Sequence, residues 1–263
     1  MSETVCVSID GHLAIVTLNR PDKANAVSLE MFDALGDMGE ILAANKSVRA
    51  VVLHGAGDNF CAGIDVGIFQ QDAVVIDAES MAPVEGSPAN RFQRAAYAWR
   101  ELPVPVICAI TGVAFGAGLQ IALGADLRYA TADARLSIME IKWGLVPDLA
   151  ISTTLRDILP VDRVKELAWS GRVVDGEEAL ELGLVTALHE DPLAAAIQTA
   201  QEICGKSPDA IRAMKQLANS AWQMTEAKAL ALEAILQLGV IGSKNQLEAV
   251  QANIEKRLPE FDN

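Results

Sequence analysis

Apolar positions in the first two-thirds of the chain fall into short blocks separated by polar turns. Val5–Ile9 and Leu13–Leu18 flank Asp10-Gly11, and two such runs around a turn pair predict a β-hairpin. Ser28 can cap a following helix with Glu30 in its first turn. Phe32, Leu35, Met38 and Leu42 then recur at helical spacing. Val48–Leu53, interrupted by Arg49, and Pro105–Ile110 are short apolar runs of strand length, which predict buried strands. The second leads into a glycine-rich turn and the apolar run Leu119–Leu123. Gln70–Asn90, with Pro83, Gly86 and Pro88, lacks either period and predicts a surface loop or lid with some helix.

Strands alternating with helices imply an α/β fold with crossover connections. After residue 190 the character changes to Ala, Leu, Glu and Lys. Ser207-Pro208 reads as a cap with a proline at the first helical position, and Leu230, Ile235 and Leu238 continue a helical stripe. The expected organisation is a core over residues 1–190 and a region of three or four helices over 191–263, packed on the core or on a neighbouring subunit.

Composition narrows the function. With 263 residues, 51% hydrophobic and 21% charged, the chain can bury a large core, and disorder is not expected. No run reaches the roughly 18 apolar residues of a membrane span. Met1-Ser2-Glu3-Thr4 has no basic start and no apolar signal core, so a cytoplasmic protein is expected. A net charge of −14 disfavours nucleic acid and anionic membranes as partners, and an anionic ligand would need local positive charge or helix N-termini. Cys6, Cys61, Cys108 and Cys204 are widely spaced with no CxxC pair, which predicts buried, reduced thiols; no zinc-type spacing and no GxSxG elbow occurs. His12, His54 and His189 are scattered and read as structural or surface residues.

Two glycine-containing turns carry the chemistry. Phe60-Cys61-Ala62-Gly63-Ile64-Asp65 follows the Val48–Leu53 strand. Thr111-Gly112-Val113-Ala114-Phe115-Gly116-Ala117-Gly118-Leu119-Gln120 follows the strand ending at Ile110. Small residues at such places let backbone N–H groups approach a ligand, and a helix start favours negative charge. The dinucleotide fingerprint GxGxxG and the phosphate loop GxxxxGK[ST] are both absent. Either turn alone reads as a tight bend; two of them, each after a buried strand, point to a site.

The pair resembles the two signatures of the crotonase (enoyl-CoA hydratase/isomerase) family. Four more segments follow its pattern in order: Asn19-Arg20-Pro21 with Asn25-Ala26, Asp126-Leu127-Arg128-Tyr129-Ala130, Glu140-Ile141-Lys142-Trp143-Gly144-Leu145, and Glu177-Glu178-Ala179 with Leu182-Gly183-Leu184-Val185. The resemblance covers nearly the whole chain. It implies a spiral of ββα units with a helical C-terminal region, an acyl-CoA thioester as substrate, no cofactor beyond the coenzyme A of that substrate, and a homotrimer or homohexamer.

Carried over by position, the resemblance implies an oxyanion hole made by the N–H groups of Ile64 and Ala117, where the family more often has Ala and Gly. The family's hydratases use two glutamates. The second falls on Glu140 and the first on Gln120, which cannot exchange a proton near neutral pH. Migration of a double bond by one carboxylate is therefore expected. The alternatives are hydration with a single glutamate and a non-catalytic acyl-CoA-binding scaffold. Asp148 stands where dienoyl-CoA isomerases of the family place an aspartate. Read from the residues alone, Asp148 could instead cap a helix starting at Leu149, Glu140 could be a surface carboxylate paired with Lys142, and Gln120 could be a pocket wall. Lys23 and Ala24, Ala62, Asp65, Gly116 and Lys256 match positions that contact the substrate or its coenzyme A; Lys23 and Lys256 could equally be solvated charges.

Overall fold

The computed structural model describes residues 3–70 and 76–263. The hairpin forms as the alternating runs predict: β1 (Val5–Asp10) pairs antiparallel with β2 (Leu13–Leu18) from Val5 opposite Leu18 to Asp10 opposite Leu13. Gly11 turns the chain at φ +56°, a region costly for residues with a Cβ. From β2 the pairing becomes parallel, through β3 (Ala50–Gly55), β4 (Val106–Ile110), β6 (Leu127–Ala130) and β9 (Ala187–Leu188). The resulting sheet has six strands in the order β1-β2-β3-β4-β6-β9. A second sheet, β5-β7-β8, is built from β5 (Val113–Phe115), β7 (Arg135–Ser137) and β8 (Val174–Asp175). Of the expected strands, β2 keeps its bounds, β1 runs one residue longer, β4 starts one residue later and β3 lies two residues further along.

Parallel neighbours need crossovers, and helices supply them. They are α1 (Leu29–Ala44), α2 (Arg94–Glu101) and α3 (Ala117–Leu123). Ser28 caps α1 by accepting from the Met31 N–H at 3.2 Å, and Phe32, Leu35, Met38 and Leu42 all face the core. Burial on both faces of the sheet explains the apolar runs. Val51, Leu53, Cys108 and Ile110 belong to the main core with Trp99 and Phe60, whereas Ala50, Val52, Ile107 and Ala109 face the opposite side. That side is covered by Ala196 and Ala200 of α7 (Pro192–Cys204), so the first helix past residue 190 is a layer of the core packing.

Three more helices follow: α8 (Pro208–Ala221), α9 (Glu226–Val240) and α10 (Lys244–Glu255). Lys215 anchors α8, its Nζ donating to the carbonyls of Trp99 and Val104 and to Asp126 at 2.7–3.1 Å. By contrast α9 buries no residue, and Leu230, Ile235 and Leu238 stand in solvent. No described helix is long and apolar enough to cross a membrane.

Three expectations need correction. The loop Gln70–Asn90 falls in part on residues 71–75, outside the described residues. Of its described part, Gln70 ends the 3₁₀ turn Val66–Gln70, residues 76–90 contain no helix, and α2 starts only at Arg94. The helix expected from Leu149 is the single turn α4 (Ile151–Thr154), capped by Ala150 at φ +62° without a side-chain bond; Asp148 is not its cap. The thiols are not all buried, since Cys6 is exposed and Cys204 half-buried, although all four are free.

Candidate active site

The first glycine turn is stitched to β5, with Cys61 N–H donating to the Val113 carbonyl and Phe115 N–H to that of Cys61. Gly63 takes φ +99°, and a Cβ there would lie 2.8 Å from the Phe115 carbonyl oxygen. Only glycine satisfies both the dihedral and the contact. The segment is also zipped to the N-terminal loop, Val27 N–H to Gly63 and Asp65 N–H to Val27, which leaves the intervening Ile64 N–H unspent.

The second turn ends at Gly116, with φ +49° and ψ −117°, and α3 begins at Ala117. The unusual dihedral falls on the glycine, so Ala117 sits in ordinary helical backbone as the first residue of the helix. Its N–H is one of the donors a helix start leaves without an internal partner. Among the described residues neither Ile64 N–H nor Ala117 N–H donates to another group. The turns touch: the Cβ absent from Gly63 would be 3.9 Å from Ala117 N, and one on Gly118 would collide with Cys61.

Both turns open onto a cavity of about 630 Å³. Its wall is mostly apolar, with Phe32 and Phe92 stacked edge to face at 5.4 Å. Ile76 and Met81 come from the described part of the expected lid. The polar side chains on the wall are Gln120, Glu140, Asp148 and Lys142. Gln120 is 1% exposed, and its Oε1 accepts from Leu149 N–H at 2.8 Å. An N–H can donate only to the amide oxygen, so this bond fixes the amide orientation and aims Nε2 at Glu140. Nε2 donates to Glu140 Oε1 at 2.6 Å, while Glu140 Oε2 is buried without a partner.

Glu140 opens a 3₁₀ turn, Glu140–Trp143, which presents its carboxyl beside Gly116. Burial holds that carboxyl above the usual glutamate range, against the Gln120 bond that favours the charged form; the Asp148 charge pushes it further up. Asp148 is itself raised, by burial. Glu140 and Lys142 form no ion pair; Lys142 lies over the Trp143 ring at 5.5 Å.

The structure thus brings Ala62, Ile64, Gly116, Ala117, Gln120, Glu140 and Asp148 to one cavity. It does not bring Lys23, Ala24, Asp65 or Lys256 to that wall. Ala24 is tied to the wall residue Ala62, whose N–H donates to the Ala24 carbonyl, and Lys23 ends the short turn Pro21–Lys23 just before it. Asp65 pairs with Arg20 at 3.0 Å, and the Arg20 hydrogen bond holds it below the usual aspartate range. Lys256 is the exposed left-handed cap of α10. Cys61 lies beside both turns, but burial pushes its thiol up to about 12, which keeps it uncharged. His12, His54 and His189 are not on the wall; His12 bonds Ser47 and His54 bonds Thr17. Among the described residues no three His, Cys, Asp or Glu side chains could hold a metal ion.

Sequence reasoning missed the Leu149 N–H, the backbone group that orients Gln120, because no residue type encodes it. It named Asn25 only as part of the N-terminal segment; fully buried in left-handed backbone, Asn25 ties that loop to Ala56 and Asn59.

Strand–strand–helix units wound around a parallel sheet, with two glycine turns opening on one cavity, are the architecture of the crotonases. Residues 8–263 match the family model for enoyl-CoA hydratase/isomerase, and the chain belongs to that family as one of its enzymes. YngF of Bacillus subtilis, which carries the name enoyl-CoA hydratase/isomerase, is 35% identical, covering 94% of this chain and 93% of its own. The 1,2-epoxyphenylacetyl-CoA isomerase of Escherichia coli is 31% identical over 99% of both chains. Among solved structures, an enoyl-CoA hydratase from Bacillus anthracis superposes with a TM-score of 0.87 at 30% identity, over 98% of both chains.

Proposed function

We propose that this enzyme shifts a double bond in an enoyl-CoA through a thioester enolate. The carrying observation is the amide of Gln120 beside the buried carboxylate of Glu140. Glu140 removes a proton from C2 of a 3-enoyl thioester, the pair left behind is held as the enolate and then forms the C2–C3 double bond, and the C3–C4 π pair takes the proton that the same carboxyl returns at C4. Negative charge that develops on the thioester oxygen is met by the N–H groups of Ile64 and Ala117. These donors belong to backbone already fixed by pairing, so they need no reorganisation. The reaction consumes no water and needs no group beyond the substrate's coenzyme A.

Hydration would need an attacking water held by acceptors that leave a lone pair free for C3. Gln120 carries no ionisable group, and its amide oxygen already accepts from Leu149 N–H. A water held there would have Glu140 alone to take its proton. The resemblance further supports coenzyme A contacts from Lys23, Ala24, Asp65 and Lys256, and assembly in threes. The exposed apolar residues of α9 are consistent with that assembly.

The test is to offer 2-enoyl-, 3-enoyl- and 3,5-dienoyl-CoA and follow absorbance and mass. A shift without mass change on the 3-enoyl substrate is expected. Gain of a water by the 2-enoyl substrate, with the 3-enoyl substrate untouched, would overturn the reading in favour of a hydratase. Light scattering should give a multiple of three chains; a stable monomer would sink the assembly proposal.

A further inference from the structure

The carboxylate of Glu140 is not symmetric. Oε1 is tied to Gln120 Nε2, and it lies against Gly116, where a Cβ would come within 3.1 Å. Oε2 is buried and has no partner. Gln120 cannot turn to release Oε1, since its own oxygen is held by the main-chain N–H of Leu149 and the residue is enclosed in α3. A buried acceptor without a partner is costly, and such an atom calls for a role.

We infer that Gln120 is a positioning residue for Glu140: pinned by Leu149 N–H, it occupies Oε1 and leaves Oε2 as the oxygen that carries the proton between C2 and C4. This rests on the proposed role of Glu140 as the base. One oxygen serving both transfers needs the carboxyl held at one angle, because proton transfer requires hydrogen-bond reach to each carbon in turn. The Gln120 amide supplies that hold from a residue that does not ionise. It also favours the charged form of Glu140, the form that can accept a proton.

The inference is testable with Gln120→Met, which keeps length and bulk but removes donor and acceptor. The assay follows conversion of 3-hexenoyl-CoA and deuterium uptake at its C2, across pH. Loss of a hydrogen bond to a charged group predicts a fall in kcat of about 10- to 100-fold, with KM unchanged. The acid limb of kcat should move to higher pH, because the group that favoured the carboxylate is gone. A kcat and limb equal to wild type would overturn the inference, as would a raised KM with unchanged kcat, the mark of a simple pocket wall. Should Gln120→Met not fold, Gln120→Glu keeps an acceptor for Leu149 N–H and places a second carboxyl beside Glu140. Its acid limb should move up as well, and a limb at the wild-type pH would refute the hold. Failure of the base reading is separable: there Glu140→Gln itself would exchange and convert the substrate at the original rate.

Discussion

Part of the cavity wall is main chain: Ile64 and Ala117 present N–H groups set by strand pairing and by the dihedrals of Gly63 and Gly116. Another part is side chain: Gln120, Glu140 and Asp148, whose chemistry belongs to the residue type. The first part should tolerate changes of side chain and fail on changes of backbone. The second should tolerate backbone-neutral changes only where the ionisable group survives. Coupling the two is Gly116, which both turns the chain into α3 and lets Glu140 Oε1 approach.

The largest effect is expected on the side-chain wall. Glu140→Gln should lower turnover of a 3-enoyl-CoA by about 10²–10⁴, the usual worth of general acid–base help, with acyl-CoA affinity retained. The same variant should be more stable than wild type at neutral pH. Burial raises the Glu140 pKa in the fold, so its stabilising contribution is full below the unfolded value of about 4.3 and is lost as pH rises through the folded value. Melting temperatures measured from pH 4 to 8 should diverge upward for Glu140→Gln as pH rises; parallel curves would contradict the buried carboxylate.

Next comes the backbone wall. Ala117→Pro places proline at the first position of α3, where a helix accepts it, and so removes the donor while sparing the fold. Losing one oxyanion donor should cost about 10²–10³ in kcat. A folded Ala117→Pro enzyme with full turnover would show that the second donor has been assigned to the wrong residue.

Asp148→Asn should cost less than Glu140→Gln. Since Ala150 and not Asp148 stands at the α4 cap, any effect reports on the site and not on helix stability. The Asp148 charge raises the Glu140 pKa, so its removal should move the acid limb of the rate to lower pH. An unmoved limb would uncouple the two carboxylates. The smallest effect belongs to Ile64→Ala, which keeps its N–H; kcat should stay near wild type, and a large loss would mean that the Ile64 side chain, not its backbone, does the work.

Much of the scaffold was legible because its signals are local. The hairpin around Asp10-Gly11, the Ser28 cap with its apolar stripe and the runs that became β3 and β4 each depend on neighbours in sequence. The glycine turns were legible for the same reason, since positive φ leaves few residues to choose from. Illegible were α2, with its Ala-rich burial, and the two- and three-residue strands β5, β7, β8 and β9, which exist only through their partners. The cap weighed for Asp148 did not form, because the chain takes a left-handed step at Ala150 between the buried Leu149 and Ile151, against the propensity of alanine.

By itself the amino-acid sequence determined the alternation of strands and helices, the places of Gly63 and Gly116, and the presence of an amide at position 120 with a carboxylate at 140. These follow from side-chain chemistry and from local dihedral limits. Tertiary structure alone decided that residues 64, 117, 120, 140 and 148 share one cavity, that Leu149 N–H orients Gln120, and that Glu140 is left with one bound and one unpartnered oxygen. The physical reason is that a hydrogen bond to a main-chain group, like the burial that shifts a carboxyl, depends on where the chain returns in space. No residue along the chain spells that return.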